Sequence, residues 1–135
     1  MTSTHTILLV DDFEPYRSLI ASILDRNSSL YLLCEASDGL EAVEKAREVR
    51  PDVVLMDIGL PKLNGLEAAR RIREVAPSCK ILFLTQETDA ELAREALGSG
   101  AYGYITKRHA ETELLEGLAA ILQGNRFMSK ELICS

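Results

Sequence analysis

Short apolar runs alternate with segments of helical period along most of the chain. Strands buried on both faces of a parallel sheet are apolar throughout, whereas half-exposed strands alternate between apolar and polar residues. The runs that predict buried strands cover residues 6–10, 31–35, 53–56, 80–84 and 103–106. Because a helical segment follows each run, the pattern predicts a parallel sheet with right-handed crossovers and helices on both faces.

The helical segments carry apolar residues at intervals of three or four positions. Asp38 and Thr88 each stand three positions before a glutamate, which is the pattern of a capping box. Gly98 and Gly100 are suited to left-handed helix ends. The predicted helices cover residues 16–25, a segment that follows Asp38, and residues 66–75, 90–97 and 111–123.

Polar side chains follow several of the predicted strands. Asp11 and Asp12 end the first apolar run, Asp57 ends the third, Thr85 ends the fourth, and Lys107 follows the fifth. The carboxyl ends of parallel strands meet at one edge of a sheet, so these groups are expected to share a crevice. Carboxylates held close together oppose one another's ionisation and need a nearby cation.

The chemistry that suits such a crevice is phosphoryl transfer assisted by Mg²⁺. Mg²⁺ prefers oxygen ligands and retains several waters, which leaves a position for a phosphoryl oxygen. A carboxylate that attacks a phosphorylated donor forms an acyl phosphate, and the protein contributes mainly positioning and charge neutralisation.

Each of these residues taken alone has a structural explanation. An aspartate after a strand often caps the next helix, and a strand-end aspartate or threonine is common in turns. A lone lysine is usually solvated, and an aromatic residue in a strand, such as Tyr104, is usually part of the core. The shared edge of the sheet is what favours a functional site over these separate explanations.

Composition narrows the classes of function. The 135 residues fit one domain, and the net charge of −6 disfavours direct binding of nucleic acid. Neither a membrane span nor a signal peptide is evident, so we expect a cytoplasmic protein. The cysteines at positions 34, 79 and 134 lack metal-ligand spacing and are expected to be reduced thiols without a catalytic role.

Three stretches resemble the receiver domains of two-component response regulators. They are ILLVDD at 7–12, VVLMDIGLPKLNG at 53–65 and GAYGYITK at 100–107, and the resemblance extends from about residue 6 to residue 123. It implies a flavodoxin-like three-layer α/β fold with a five-stranded parallel sheet of order 2-1-3-4-5. It also implies a protein that is not itself an enzyme and that signals by accepting a phosphoryl group from a histidine kinase.

The resemblance assigns a role to each candidate residue. Asp57 would accept the phosphoryl group, and Lys107 would contact the phosphoryl oxygens. Asp11, Asp12, Asp57 and the backbone carbonyl of Gly59 would hold Mg²⁺.

The resemblance also implies a switch. Thr85 would move toward the phosphoryl group, and Tyr104 would reorient with it. The surface of the fourth helix, fifth strand and fifth helix would then change, and this surface is a candidate for homodimer formation.

Two positions depart from the family pattern. Gln86 stands where such domains usually have a small residue, and its side chain is long enough to narrow access to the phosphoryl group. Arg108 stands where proline often follows the lysine, which leaves a trans peptide and a differently aimed Lys107 as an open alternative.

Residues 1–123 are predicted to form the receiver domain, and residues 124–135 a C-terminal tail or truncated linker. This tail resembles the segment that leads to a DNA-binding domain in regulators of the NarL/LuxR type. The chain is therefore interpreted as part of a transcriptional regulator, or alternatively as a stand-alone or degenerate receiver that acts as an interaction module. An aspartyl phosphatase would need a second aspartate two positions after the first, and a P-loop is absent from the sequence.

Overall fold

Six parallel strands form one sheet in the computed structural model, which describes residues 4–133. The sheet order is β2-β1-β3-β4-β5-β6, so the five predicted strands have the predicted order and a sixth strand continues it. The predicted number of strands is therefore one too low. The strands are β1 (His5–Val10), β2 (Leu30–Ala36), β3 (Val53–Met56), β4 (Lys80–Thr85), β5 (Gly103–Thr106) and β6 (Phe127–Met128).

Helices cover both faces of this sheet, as the apolar pattern predicts. Side chains of α1 and α5 pack in one buried cluster, and those of α2, α3 and α4 pack in a second cluster on the opposite face. Residues 7–10 of β1 point alternately into the two clusters, which explains why this part of the strand is apolar throughout. The helices are α1 (Glu14–Leu24), α2 (Gly39–Val49), α3 (Gly65–Val75), α4 (Ala90–Gly98), α5 (Ala110–Leu122) and α6 (Lys130–Ile133).

Helix ends follow the sequence signals only in part. The Asp38 carboxylate caps α2 by accepting a hydrogen bond from the Glu41 N–H at 2.8 Å, as predicted. The helix α4 begins at Ala90, as predicted, but the prediction of a cap at Thr88 is wrong, because Asp89 is the N-cap. The predicted left-handed stop at Gly98 is wrong, because Gly98 is the last helical residue of α4, whereas Gly100 has a φ of 118° and occupies the left-handed region.

The C-terminal segment has more structure than the tail or linker predicted from sequence. Phe127 and Met128 form β6 beside β5, and α6 follows directly. A two-residue strand and a four-residue helix are too short to show a hydrophobic period, so the sequence pattern could not reveal them.

Two further properties of residues 4–133 bear on the sequence predictions. No helix in this range combines the length and apolar character that a bilayer span requires. Cys34 and Cys79 are free thiols, and burial raises the pKa of both. The third cysteine, Cys134, lies outside the described residues.

Candidate functional site

Carboxylates from two neighbouring strands meet at the C-terminal edge of the sheet. Asp11 and Asp12 follow β1, and Asp57 follows β3, which pairs with β1. One carboxylate oxygen from each residue lies within 4.8 Å of the other two. Asp11 is buried and Asp12 is exposed, so the group opens to solvent on one side.

These carboxylates line a crevice of about 580 Å³. Thr85, Lys107 and Gly59 line the same crevice, so the structure brings together every predicted residue of the site except Tyr104. Both departures from the family pattern also lie at its wall. The complete lining is Asp11, Asp12, Phe13, Tyr16, Asp57, Gly59, Thr85, Gln86, Glu87, Lys107 and Arg108.

Lys107 places its ammonium group between two of the carboxylates. Its Nζ lies 2.6 Å from Asp11 Oδ2 and 3.0 Å from Asp57 Oδ2. Burial alone would lower the pKa of Lys107, but hydrogen bonds and charge attraction from both aspartates outweigh burial and raise it. The group is therefore a fixed positive charge, and it is aimed at the carboxylates although the described residues contain no cis peptide bond.

The loop after β3 holds Asp57 in a defined position. The N–H groups of Ile58 and Gly59 donate to Asp57 Oδ1 at 2.7 and 3.4 Å, while Oδ2 faces Lys107. The loop closes on Gly65, where a Cβ atom would lie 2.1 Å from the Asp57 backbone carbonyl oxygen. Glycine at position 65 is therefore a condition for this loop geometry.

Asp11 contacts Lys107 and the turn before α1, but it does not cap this helix, because the N-cap is Phe13 and has no side-chain hydrogen bond. Its Oδ1 accepts a hydrogen bond from the Phe13 N–H at 2.9 Å, where α1 begins, and its Oδ2 contacts Lys107. The Arg17 side chain donates to the Asp11 backbone carbonyl at 2.5 Å and pairs with Glu35 on β2. These contacts fix the end of β1 from both sides.

Thr85 and Tyr104 are connected through one residue of the loop after β4. The Glu87 N–H donates to Thr85 Oγ1 at 3.3 Å, and the Tyr104 hydroxyl donates to the Glu87 carbonyl at 3.0 Å. The Tyr104 ring is fully buried, with its centroid 6.3 Å from that of Phe83. Burial, with the charges of Glu87 and Asp89, raises the pKa of Tyr104, so its hydroxyl stays protonated and can donate.

Sequence reasoning missed Tyr16 and the backbone contacts of Glu87. The Lys107 ammonium lies 4.4 Å from the centroid of the Tyr16 ring, and the Tyr16 hydroxyl donates to the Lys107 backbone carbonyl at 3.4 Å. Tyr16 lies in the first turns of α1, where helical period brings it near the crevice, but no motif marks it. Glu87 acts through its backbone, which its side-chain identity does not reveal.

The sequence profile of the response regulator receiver domain matches residues 7–119. The chain belongs to this family. Among curated relatives of this receiver domain, the transcriptional regulatory protein LnrK of Bacillus subtilis is 37% identical over 126 residues, which are 93% of this chain and 57% of LnrK. A putative transcriptional regulator of Pseudomonas aeruginosa is 36% identical over 87% of this chain and 56% of its own. The receiver thus spans a little over half the length of these relatives.

Solved structures agree with this family assignment. A LuxR-family two-component response regulator from Aurantimonas superposes with a TM-score of 0.92 at 37% identity, covering 97% of this chain and 94% of that one. The response regulator domain of Thermotoga maritima CheB gives a TM-score of 0.80 at 35% identity, covering 86% and 94%. The flavodoxin-like receiver fold and the likeness to LuxR/NarL-type regulators are both confirmed.

Proposed function

We propose that this receiver accepts a phosphoryl group from a histidine kinase on Asp57 in a reaction that requires Mg²⁺. The observation that carries the proposal is the position of Asp57. Its carboxylate lies in an open crevice, held on one side by backbone N–H groups and faced on the other by the Lys107 ammonium. A carboxylate that is accessible and held in one orientation is a suitable acceptor in an in-line displacement.

The residues at the crevice fit Mg²⁺. Asp11, Asp12 and Asp57 offer carboxylate oxygens within 4.8 Å of one another, and Gly59, whose backbone carbonyl is the fourth proposed ligand, lines the same crevice. Hard oxygen donors of this kind are those that Mg²⁺ prefers. When bound, the ion would neutralise charge that builds up on the transferred group.

In the proposed transfer, an Asp57 carboxylate oxygen forms a bond to phosphorus as the bond between phosphorus and the donor imidazole nitrogen breaks. The N–H groups of Ile58 and Gly59 orient the carboxylate, and Lys107 contacts the phosphoryl oxygens. The leaving imidazole remains on the kinase. The chain provides positioning and charge but no turnover, so we propose a signalling domain and not an enzyme.

The contact between Thr85 and Glu87 supports a route from the phosphoryl group to the surface. Thr85 Oγ1 accepts from Glu87 N–H, so its own hydroxyl hydrogen remains available to donate to a phosphoryl oxygen. That bond would exist only in the phosphorylated state and would shift the equilibrium toward it. A movement of Thr85 would displace the backbone of Glu87, whose carbonyl accepts the hydrogen bond of the Tyr104 hydroxyl.

The proposed output is control of transcription in the cytoplasm. Two relatives named as transcriptional regulators support this proposal, and the chain spans a little over half of the length of each. We propose that residues 1–123 are the receiver and that residues 124–135 lead toward a DNA-binding domain. The 135 residues carry a net charge of −6, so we propose that they do not themselves bind nucleic acid. The face of α4, β5 and α5, extended by β6 and α6, is the proposed homodimer surface.

Intact-mass measurement after incubation with acetyl phosphate and Mg²⁺ tests the proposal. The native chain should gain the mass of one phosphoryl group, and Asp57→Asn should gain none. Asp25→Asn, at the exposed end of α1, is the matched control and should react as the native chain does. A phosphoryl gain that persists in Asp57→Asn would refute the assignment. A native chain that never reacts but dimerises without Mg²⁺ would instead support a degenerate interaction module.

A further inference from the structure

The segment of residues 127–133, here called the C-terminal clamp, extends the sheet at the strand that carries Tyr104. The Phe127 N–H donates to the Tyr102 carbonyl and the Ser129 N–H donates to the Tyr104 carbonyl, both at 2.9 Å. Residues 104 and 128 are register partners between β5 and β6. The clamp therefore satisfies backbone groups at an edge of the sheet that would otherwise be open.

A buried polar network fastens the clamp to α5. Ser129 Oγ accepts a hydrogen bond from the Thr106 N–H at 2.9 Å and donates to Glu113 Oε1 at 2.6 Å. Glu113 Oε2 accepts from the Lys130 N–H at 3.1 Å. Ser129 is 0% exposed and Glu113 is 5% exposed. Burial of a carboxylate costs free energy unless its oxygens accept hydrogen bonds. Both Glu113 oxygens accept hydrogen bonds from the clamp, so burial of Glu113 depends on the clamp being in place.

The clamp also reaches the turn that carries Lys107. Glu131 forms an ion pair with Arg108 at 2.6 Å and a hydrogen bond with His109 Nε2 at 2.7 Å. Arg108 lines the crevice that contains the proposed phosphorylation site. Arg108, which follows β5, therefore contacts the clamp through Glu131 and also lines the crevice.

Tyr104 and Leu132 are buried in the same apolar cluster. Leu132 of α6 is 4% exposed, and the cluster includes Ala93 and Ala96 of α4. Turning the Tyr104 ring out of this cluster would remove apolar packing from the region that buries Leu132, and it would leave a cavity. Docking of the clamp and burial of the Tyr104 ring therefore favour one another.

We propose that the C-terminal clamp and the phosphorylation site are thermodynamically coupled through Tyr104, so that phosphorylation of Asp57 tightens the clamp on β5 and α5. This inference rests on the proposed function, because Thr85 and Glu87 are the route by which the site biases Tyr104. Coupling between two sites is reciprocal. A change that opens the clamp must then weaken binding at the site, by at most the factor by which the bound ligand stabilises the closed clamp.

Backbone amide exchange of the full chain, followed by NMR with and without beryllofluoride and Mg²⁺, tests the coupling. Exchange of the Ser129 and Thr106 amides reports on opening of the clamp, and shifts at Asp57 and Thr85 report on binding at the site. Beryllofluoride should slow exchange of the Ser129 amide about fivefold or more, a typical size for coupled sites.

Glu113→Gln and Ser129→Ala test the reciprocal effect. Each should speed amide exchange at position 129 and weaken beryllofluoride binding, by up to the factor by which beryllofluoride slows this exchange in the native chain. Glu116→Gln is the matched control, because it makes the same change at an exposed position on α5 and should alter neither quantity. Two variants at different residues guard against one that fails to fold.

The outcomes separate the inference from the proposed function. Beryllofluoride shifts at Asp57 and Thr85 with unchanged exchange at Ser129 would overturn the coupling and leave the phosphoacceptor function standing. Native beryllofluoride affinity in variants whose clamp is open in most molecules would overturn it equally. A native chain whose site does not respond to beryllofluoride would overturn the proposed function and this inference with it.

Discussion

The Tyr104 hydroxyl donates a hydrogen bond to the backbone carbonyl of Glu87 at 3.0 Å. Because the N–H of the same residue donates to Thr85, a single residue of the loop after β4 joins the edge of the crevice to a ring in the core. A backbone connection of this kind depends on strand register and loop path more than on side-chain identity. It can therefore carry movement between Thr85 and Tyr104.

Tyr104→Phe should separate the hydrogen bond from the packing of the ring. The ring stays buried, but the Glu87 carbonyl loses its donor, so the free energy of unfolding should fall by about 1 to 2 kcal/mol. Binding of beryllofluoride should still shift the amide resonance of Thr85, while the shifts that it causes in the amide resonances of α4 should become smaller. Urea denaturation and amide shifts measure the two effects. Tyr102→Phe, at a half-buried ring, is the control and should show neither.

Lys107→Met should tighten Mg²⁺ binding in the unphosphorylated chain. The ammonium lies 2.6 Å from Asp11 Oδ2 and repels a second cation at the same carboxylates. One unit charge at about 4 Å contributes ~1 kcal/mol even in water, so Mg²⁺ affinity should rise about fivefold or more. Titration of Mg²⁺ followed by NMR measures the change. Lys62→Met removes an equally charged but exposed side chain and should leave the affinity unaltered.

Stability at alkaline pH should reveal the same ion pairs. The pKa of Lys107 is raised in the folded chain, so its pairing contributes fully below the ordinary lysine value of 10.5. The contribution is lost as pH rises through the folded pKa. The difference in unfolding free energy between the native chain and Lys107→Met should thus be constant near neutral pH and shrink above that value. Urea denaturation across this range checks it, and a difference that grows with pH would contradict the ion-pair explanation.

The parts of the site that could be predicted are those that strand ends specify. Asp57 and Thr85 could be placed because continuous apolar runs mark buried parallel strands, whose ends meet at one edge. Thr88 was a wrong cap because two adjacent residues both had capping side chains, and only the path of the loop selects between them. The polar contact between Ser129 and Glu113 could not be foreseen, since it joins distant positions and shows no period.

Tyr16 shows how a side chain near the chemistry can escape sequence reasoning. Its ring faces the Lys107 ammonium, so Tyr16→Leu should remove an attraction of about 1 kcal/mol and slow phosphorylation by acetyl phosphate about three- to tenfold. Tyr16→Phe keeps the ring and loses only a long hydrogen bond of 3.4 Å, so it should react almost as the native chain does. Tyr31→Leu, at an exposed tyrosine of β2, is the matched control. Equal slowing in the Phe and Leu variants would show that the hydroxyl, and not the ring, positions Lys107.

Gly65→Ala should displace the Asp57 carboxylate without changing any side chain that takes part in the reaction. A methyl group at this position would lie 2.1 Å from the Asp57 carbonyl oxygen, so the loop after β3 must move away. Overpacking against backbone should lower the free energy of unfolding by about 1 to 3 kcal/mol and slow phosphorylation by displacing the Asp57 carboxylate. Gly98→Ala provides the contrast, because nothing lies within 4 Å of its added carbon and alanine favours the helical conformation of α4. It should be neutral or slightly stabilising by thermal denaturation, with phosphorylation at the native rate. If Gly65→Ala matched Gly98→Ala in both measurements, the loop would not be holding Asp57 through close contact at position 65.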